Sequence, residues 1–288
     1  MQSAILSKTQ SLSFERKAGK FIGVSILTVL SAIFIIPFIW SLSASFKDLL
    51  QIYAIPHKWI PNPIYFENYA NIFELLPLAR FFLNTVIITS LSLIGNIFSC
   101  SLVAYSFARL RWRGKHVLFI ILLSTTMLPS HVTLIPQFLI FQKLGWHDTY
   151  LPLIVPHWLA VSVFNVFLLR QFFLTIPLEL EDAAKIDGCS FLRIFFQIMI
   201  PLAKPAMATI TILSFIGHWN MLLLPLIYLQ SYEKFPIAVG INMFKDMYSA
   251  LPHYVMAASM LSLIPILILF FLAQKQFVKG IMLSGIKG

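Results

Sequence analysis

The chain has 288 residues, of which 59% are hydrophobic and 11% are charged, and its mean hydropathy is +0.85. These values exclude an ordinary water-soluble domain, because so large an apolar surplus needs lipid as well as a protein core to cover it. The formal net charge of +10 would by itself allow nucleic-acid binding. The basic residues alternate with apolar stretches and form no continuous face with interleaved aromatic residues, which argues against that function.

Six uncharged stretches each exceed the roughly 20 residues that a helix needs to cross a bilayer core of about 30 Å. They are residues 21–46, 81–108, 117–142, 149–169, 205–232 and 247–274. The fifth stretch is expected to end early, near Pro225. No stretch shows the alternation of a membrane β-barrel strand, so the sequence predicts an all-α, polytopic membrane protein with six transmembrane helices.

The distribution of Lys and Arg predicts the orientation of the chain. With the amino terminus inside, 15 of the 21 Lys and Arg residues fall in inner segments and 6 fall in outer segments, which is the positive-inside pattern. We therefore expect a cytoplasmic N-terminal tail at 1–20, a transmembrane domain at 21–277 and a cytoplasmic C-terminal tail at 278–288. The first apolar stretch is too long for the core of a secretory signal, so it is expected to stay uncleaved.

Sequence motifs for catalysis and cofactor binding are missing. There is no GxxxxGK[ST] phosphate loop, no GxSxG elbow and no HExxH pair, and Cys100 and Cys189 are not placed for a disulfide or a metal site. We predict that the chain is not an enzyme and that it binds no metal or cofactor. His157 and His218 fall near or inside apolar stretches, where they either serve a function or pack as neutral, hydrogen-bonded groups.

The longest inner segment, 177–201, carries the most informative pattern. Thr175 can cap a helix that has Pro177 in its first turn, and Gly188 suits the left-handed position after that helix. Ser190 can cap a second helix. The sequence therefore predicts a helix, a sharp turn and another helix on the cytoplasmic surface.

The first of these two helices is predicted to present a docking surface. Ala183 and Ala184 are small enough to let another backbone approach, and Glu181, Asp182 and Lys185 are expected to face solvent or a partner. Four apolar residues would be left half exposed: Leu178, Leu180, Ile186 and Phe191. Such a patch indicates a partner protein. A helix lying on the membrane is disfavoured, because its acidic residues would be repelled by the anionic inner leaflet.

This segment resembles the EAA loop of binding-protein-dependent ABC importers, in which Glu-Ala-Ala is followed after three residues by Gly, and after nine more by Ile-x-Leu-Pro. Here Asp182-Ala-Ala is followed by Gly188 and then by Ile198-Met-Ile-Pro201 at the same spacing. Asp182 stands where the family has Glu, one methylene shorter, and Glu181 beside it is expected to share its role. Ile200 stands where the family has Leu.

Further segments are similar to the maltose-type sugar permeases, and together they extend over nearly the whole chain. They are SFK at 45–47, ENY at 67–69, AYSFARL at 104–110, LIP at 134–136, VFLLRQFF at 166–173, WN at 219–220 and the segment 277–288. The pattern is that of the shorter, second permease of that branch, which has six spans.

The resemblance implies a transmembrane permease subunit that forms, with a second permease, the path for a di- or oligosaccharide delivered by an external solute-binding protein. Two copies of a cytoplasmic ATPase, which hold ATP and Mg, would dock on the EAA-type coupling loops. The implied location is the cytoplasmic (inner) membrane of a bacterium or archaeon. The residues expected to couple to the ATPase are Glu181, Asp182, Ala183, Ala184, Asp187, Gly188, Ser190 and Arg193.

Four residues in the apolar stretches are candidates for the sugar path: Asn96, Asn165, Trp219 and Asn220. Each could equally bridge helices, where polar side chains hold transmembrane bundles together. Glycerol phosphate or another polyol remains an alternative substrate. A stand-alone secondary transporter is a further alternative, although no charged residue lies inside any span. A membrane-embedded enzyme would need paired acids or histidine clusters, which the sequence lacks.

Overall fold

The computed structural model describes residues 2–247 and 251–285, and the regular elements of these residues are helices. In chain order, the α-helices are α1 (Gln2–Ser45), α2 (Leu49–Ile52), α3 (Glu67–Leu75), α4 (Leu78–Arg109), α5 (Lys115–Ser124), α6 (Ser130–Lys143), α7 (Leu151–Ile154), α8 (Val163–Thr175), α9 (Leu178–Ile186), α10 (Phe191–Ile194), α11 (Ile200–Leu202), α12 (Lys204–Trp219), α13 (Leu223–Tyr228), α14 (Ile237–Met247) and α15 (Pro252–Gly285). Short 3₁₀ turns occupy Thr125–Met127, Val155–Leu159 and Tyr232–Lys234, and a π-helical turn occupies Phe195–Met199.

Four helical segments are long and apolar enough to cross a membrane without a sharp bend: Gly19–Ser45, Leu78–Arg109, Leu151–Thr175 and Pro252–Gln274. Two bent pairs add two more candidates. They are Lys115–Met127 with His131–Lys143, bent by 104°, and Phe191–Leu202 with Lys204–Trp219, bent by 79°. With each pair taken as one span, the described part of the chain holds six spans. The predicted fold class, an all-helical multi-pass membrane protein, is confirmed.

The boundaries differ most at the fifth span. The sequence predicts a span at 205–232, whereas the bent pair begins at Phe191 and ends at Trp219. The second helix of the predicted loop is therefore the first half of this span. Lys204 divides the apolar run in the sequence, but in the structure it lies at the bend. Pro201 and Pro205 flank the bend and lack the N–H groups that would continue the helical bonding.

Helices also extend into both predicted tails. The first helix, α1, begins at Gln2 and so covers most of the predicted tail at 1–20, and α15 continues to Gly285. The start of the sixth predicted stretch includes 248–250, and the C-terminal tail includes 286–288. Those positions, like the first residue, lie outside the described residues.

The chain forms two compact units, and α4 is the central helix of the larger one, which comprises residues 73–247 and the segment from 261 onward. In that unit α4 packs against α8, α12 and the 3₁₀ turn at Val155–Leu159. Its buried residues recur every three to four positions, as at Ile88, Ser92, Asn96 and Ser99. One face of α4 is therefore covered along its length.

Close contact between α4 and the 3₁₀ turn depends on small residues. A Cβ atom on Gly95 would lie 2.3 Å from Cδ1 of Trp158, so this approach is possible only where the side chain is absent. The hydroxyl of Ser99 donates to the carbonyl oxygen of His157 at 3.0 Å and accepts from the Ala160 N–H at 3.1 Å. These bonds satisfy backbone groups where the helix is broken, as a membrane interior requires.

Two segments that carry the family resemblance pack together in the smaller unit. The side chain of Lys47 is fully buried. Its ammonium lies 4.2 Å from the centre of the Trp40 ring and donates to the carbonyl oxygen of Lys58. Asn68 Nδ2 donates to the carbonyl oxygens of Ser45 and Lys47 at 2.9 and 2.8 Å. These contacts give the SFK and ENY segments a structural role, because they fix the turn that follows α1.

Asp148 anchors the connection between α13 and α14. Its carboxylate accepts bonds from the N–H groups of Gln230 and Ser231, each at 2.9 Å, and from Nζ of Lys234 at 2.8 Å. The hydrogen bonds from the Lys234 ammonium and from Ser231 hold the pKa of Asp148 well below its ordinary value of 3.8. The connection is thus tied to the residues that precede α7.

Candidate functional site

The predicted helix-turn-helix is present, and its turn is centred on Gly188. Helix α9 ends at Ile186, and Gly188 has a φ of +76°. The N–H of Cys189 donates to the Ala184 carbonyl at 2.9 Å, and that of Gly188 donates to the Lys185 carbonyl at 3.0 Å. These two bonds form the Schellman motif that ends many helices. Among the described residues, nothing lies within 4 Å of a Cβ placed on Gly188. Glycine is therefore favoured by the backbone conformation and not by crowding.

Ser190 caps the second helix as the sequence predicts. Its Oγ accepts a hydrogen bond from the N–H of Arg193 at 3.3 Å, which satisfies one of the free donors at the start of α10. The chain then continues through the π-helical turn and α11 to the 79° bend before α12. The second half of the loop is thus continuous with a candidate membrane span.

The start of α9 and its acidic residue differ from the prediction. Thr175 does not cap α9, because it is the last residue of α8 and its hydroxyl donates to the Phe172 carbonyl at 2.7 Å. Pro177 takes the capping position without a side-chain bond. The expectation that Glu181 faces solvent or a partner is wrong. Its side chain is 3% exposed, and Oε1 lies 3.3 Å from Nε of Arg109.

Arg109 connects α9 to two other helices. It is the last residue of α4, and its side chain is as buried as that of Glu181. The guanidinium also donates from Nη2 to the carbonyl oxygens of Phe173 and Ile176, at the end of α8. Glu181 lies on the inward face of α9 with Ala184. A carboxylate at that position needs a buried cation, which Arg109 supplies.

The other predicted coupling residues lie mainly on the surface of the loop. Ala184 packs into the core of the larger unit. The exposed ones are Asp182, Ala183, Asp187, Gly188, Ser190 and Arg193. The predicted apolar patch is confirmed, since Leu178, Leu180, Ile186 and Phe191 are all exposed. Ile186 is the extreme case, with 87% of its surface accessible.

Two of the four predicted sugar-path residues, Trp219 and Asn220, donate side-chain hydrogen bonds to backbone carbonyl oxygens. Trp219 is 2% exposed, and its Nε1 donates to the Ser262 carbonyl at 3.0 Å, which links α12 to α15. Asn220 follows the last residue of α12, and its Nδ2 donates back to the Ile216 carbonyl at 3.0 Å. The Trp219 contact agrees with the alternative in which such a residue bridges helices, whereas the exposed Asn220 bonds back to its own helix.

The other two predicted residues, Asn96 and Asn165, converge on a cavity. Each donates from Nδ2 to Oγ of Ser214 at 2.9 Å. The three side chains line a cavity of about 420 Å³ that is bordered by α4, α8 and α12. His157 and His218 line the same cavity, with ring centroids 4.3 Å apart in an edge-to-face arrangement. The sequence left the role of both histidines open and gave no sign that they meet.

Known proteins are similar to this chain in sequence. Residues 97–282 match the family model described as "binding-protein-dependent transport system inner membrane component". The probable ABC transporter permease protein YurM of Bacillus subtilis (strain 168) is 32% identical over 253 residues, which cover 88% of this chain and 83% of YurM. The arabinooligosaccharides transport system permease protein AraQ of the same organism is 31% identical over 264 residues, which cover 90% of this chain and 93% of AraQ.

A solved structure agrees with the sequence relatives. The crystal structure of a bacterial ABC transporter involved in the import of the acidic polysaccharide alginate includes a chain with a TM-score of 0.77 to this one. That chain is 26% identical, and the match covers 91% of this chain and 97% of that chain. The family match includes the whole coupling loop and, except for Asn96, the polar cavity residues. The chain therefore belongs to the family of inner membrane components of binding-protein-dependent transport systems, as a permease subunit of an ABC importer.

Proposed function

We propose that this chain is one of two permease subunits that form the path for a di- or oligosaccharide across the cytoplasmic membrane, with both of its own termini in the cytoplasm. A solute-binding protein delivers the sugar from outside. Two ATPase subunits hydrolyse ATP with Mg inside, and this chain itself catalyses no reaction. The relatives support the substrate class, because AraQ is named for arabinooligosaccharides and the alginate transporter for a polysaccharide.

The observation that carries the proposal is the shape and exposure of the coupling loop. A nine-residue helix ends in a fixed Schellman turn and presents exposed apolar side chains. Exposed apolar patches of this kind mark interaction sites, and a short helix suits a groove on a partner. We assign Asp182, Ala183, Asp187, Gly188, Ser190 and Arg193 to contact with the ATPase.

Two connections would carry movement of the loop into the membrane domain. Arg109 joins α9 to the ends of α4 and α8 through buried polar contacts. On the other side of Gly188, α10 and α11 belong to the first half of the bent span, and α12 is its second half. Displacement of the loop by the closing ATPases would therefore act on α4, α8 and α12 together, which are the helices that border the cavity.

Association with the ATPase is tested by copurification of the tagged chain with its co-expressed partner subunits. Ile186→Asp places a charge on the most exposed apolar position of α9, so it should release the ATPase while the second permease stays bound. Leu50→Asp, at a residue of α2 that is 81% exposed, is the matched control and should retain the ATPase. Retention of the ATPase by the Ile186→Asp complex would contradict docking of the ATPase on the exposed apolar face of α9.

Substrate class is tested by uptake into lipid vesicles that contain the purified complex. ATP inside the vesicles and the binding protein outside should both be required for uptake of a radiolabelled oligosaccharide. Transport by this chain alone would refute the importer and favour a secondary transporter. Uptake of glycerol phosphate without uptake of any sugar would favour the alternative substrate.

A further inference from the structure

The cavity between α4, α8 and α12 has polar side chains in a membrane-spanning region. Asn96, Asn165, Ser214, His157 and His218 all line it. Its volume of about 420 Å³ lies within the range of small-molecule sites, roughly 300–1,000 Å³. Polar groups at membrane depth are costly unless they serve a partner or a passing substrate.

The histidine pair is incompletely satisfied within the chain. His218 is 8% exposed. Its Nε2 and the Nδ1 of His157 are buried, and neither makes a hydrogen bond with any residue that the structure describes. Buried polar atoms are normally bonded. Trp219 has a hydrogen-bond partner within the chain, whereas these two imidazole nitrogens do not. A role in helix packing therefore explains the two histidines less well than it explains Trp219.

The asparagine pair, in contrast, is held in place. Asn96 Oδ1 accepts from Sγ of Cys100 at 3.0 Å, while its Nδ2 donates to Ser214. Asn165 donates to the same hydroxyl oxygen. Ser214 Oγ thus accepts two bonds, and its own proton is left to donate elsewhere. Such mutual support fixes the positions of polar groups before a ligand arrives.

The chemistry of the lining selects one class of ligand. Imidazole, amide and hydroxyl groups can each donate and accept, as sugar hydroxyls do. Phe164, which is exposed and also lines the cavity, offers an apolar ring to the C–H face of a sugar. Within the described part of the chain, no Asp, Glu, Lys or Arg lines the cavity. The ionised group of a uronate or a phosphate would therefore find no compensating charge among the lining residues of this chain, at a cost that a neutral sugar does not have.

We propose that this cavity is a translocation subsite for an uncharged sugar unit, contacted by His157, His218, Asn165 and Ser214 and supported by Asn96. This proposal rests on the proposed function and narrows the class of sugar that the importer carries. It favours neutral oligosaccharides over acidic ones such as alginate and over glycerol phosphate.

The first test compares probes in vesicles that contain the complete importer. The neutral probes are radiolabelled trisaccharides of arabinose, galactose and glucose. The charged probes are an alginate trisaccharide and glycerol 3-phosphate. At least one neutral trisaccharide should be taken up, and the charged probes should not. Uptake of a charged probe alone would overturn the proposed ligand class.

The second test removes polar groups from the cavity. Asn165→Leu and His218→Leu should each lower the maximal uptake rate of the transported trisaccharide by about threefold to tenfold, the effect of losing one hydrogen bond. The trisaccharide concentration that gives half-maximal uptake is set mainly by the binding protein and should stay unchanged. ATP hydrolysis stimulated by the binding protein should persist. Asn220→Leu is the matched control, because Asn220 does not line the cavity, and it should transport normally.

A labelling experiment keeps the inference testable if a leucine variant fails to assemble. Ser214→Cys, in a background without Cys100 and Cys189, would react with N-ethylmaleimide. The transported trisaccharide with its binding protein should slow that reaction. Normal uptake by the leucine variants, or labelling that sugar does not slow, would overturn the subsite while leaving the importer intact. If an assembled complex takes up none of the probes, the proposed function itself fails.

Discussion

Glu181→Gln should loosen the coupling loop from the membrane domain. The side chains of Glu181 and Arg109 are each 3% exposed, so removing one charge leaves the other buried without its partner. Breaking such a pair costs about 3–5 kcal/mol. We expect the lower value, because Arg109 keeps its two carbonyl acceptors, Phe173 and Ile176. A cost of about 3 kcal/mol corresponds to a change of roughly 150-fold in a local opening equilibrium.

Hydrogen exchange on the purified complex measures that opening. The amides of α9 and those of Asp187, Gly188 and Cys189, which bond back into it, should exchange roughly 100-fold faster in Glu181→Gln than in the parent. Asp182→Asn is the matched control on the same helix. Its ion pair with Lys185 is exposed, so the exchange rates of these amides should rise by less than about fivefold. Exchange in Glu181→Gln that equals the control would refute the reasoning.

A double-mutant cycle separates the ion pair from general packing. Arg109→Met should cost more than Glu181→Gln, because it also removes the guanidinium hydrogen bonds to the carbonyl oxygens of Phe173 and Ile176. Combining Arg109→Met with Glu181→Gln leaves no unpaired charge. The double variant should therefore be less destabilised than the sum of the single variants. Additive costs would show that the two side chains act independently.

Three further predictions concern other parts of the chain. At Gly188, Val should disrupt binding-protein-stimulated ATP hydrolysis more than Asn, because φ is +76° and Asn tolerates that conformation better. Gly95→Ala places a Cβ 2.3 Å from Trp158 and should cost about 1–3 kcal/mol, seen as a lower thermal midpoint, whereas Gly23→Ala in α1 should have little effect. The depressed pKa of Asp148 keeps its carboxylate ionised, so the stability it contributes persists above its ordinary pKa of 3.8 and declines only as pH falls below that. The amide exchange rates at 228–237, corrected for the intrinsic effect of pH on exchange, should thus be equal at pH 7 and pH 5. In Asp148→Asn these rates should be about tenfold faster.

The helical membrane fold could be predicted because it follows from quantities that are local in the sequence. Apolar length gives the spans, and the boundaries at Ser45 and Arg109 fall where charge returns. The fifth span could not be predicted in the same way. Its first half carries Arg193, a charge that in the sequence indicates a loop, although this side chain is exposed and bonds to Gln197 one turn later. Where a charged residue can point away from the bundle, charge alone does not mark the end of a span.

The coupling loop was predictable to the extent that backbone chemistry determines it. Gly188 and Ser190 carry their signals within a few residues, and both predictions are confirmed. Glu181 was misplaced because its environment depends on Arg109, which lies 72 positions earlier in the chain. The cavity shows the same limit, since His157 and His218 meet only after the 3₁₀ turn at Val155–Leu159 and α12 pack on α4.

The buried position of Glu181 also changes how docking on the loop should be understood. If Glu181 is held by Arg109, Asp182 is left as the acidic residue of the EAA-type motif that a partner can reach. In the chain alone Asp182 pairs with Lys185 at 3.1 Å, and both side chains are largely exposed. Such a pair is worth less than about 1 kcal/mol, so a cation on the ATPase could replace Lys185 at little cost. Replacing Lys185 with that cation as the partner of Asp182 therefore adds little to the free energy of docking.

Burial of the apolar patch would contribute more to docking. Fully covering one large apolar side chain stabilises by about 1.5–3 kcal/mol, and α9 presents three, Leu178, Leu180 and Ile186. On the proposed docking, Asp182→Asn should therefore weaken ATPase retention much less than Ile186→Asp. The measurement is the amount of ATPase that copurifies with each tagged variant under the same conditions. A greater loss in Asp182→Asn would mean that the acidic contact, despite its shorter side chain, dominates the interface.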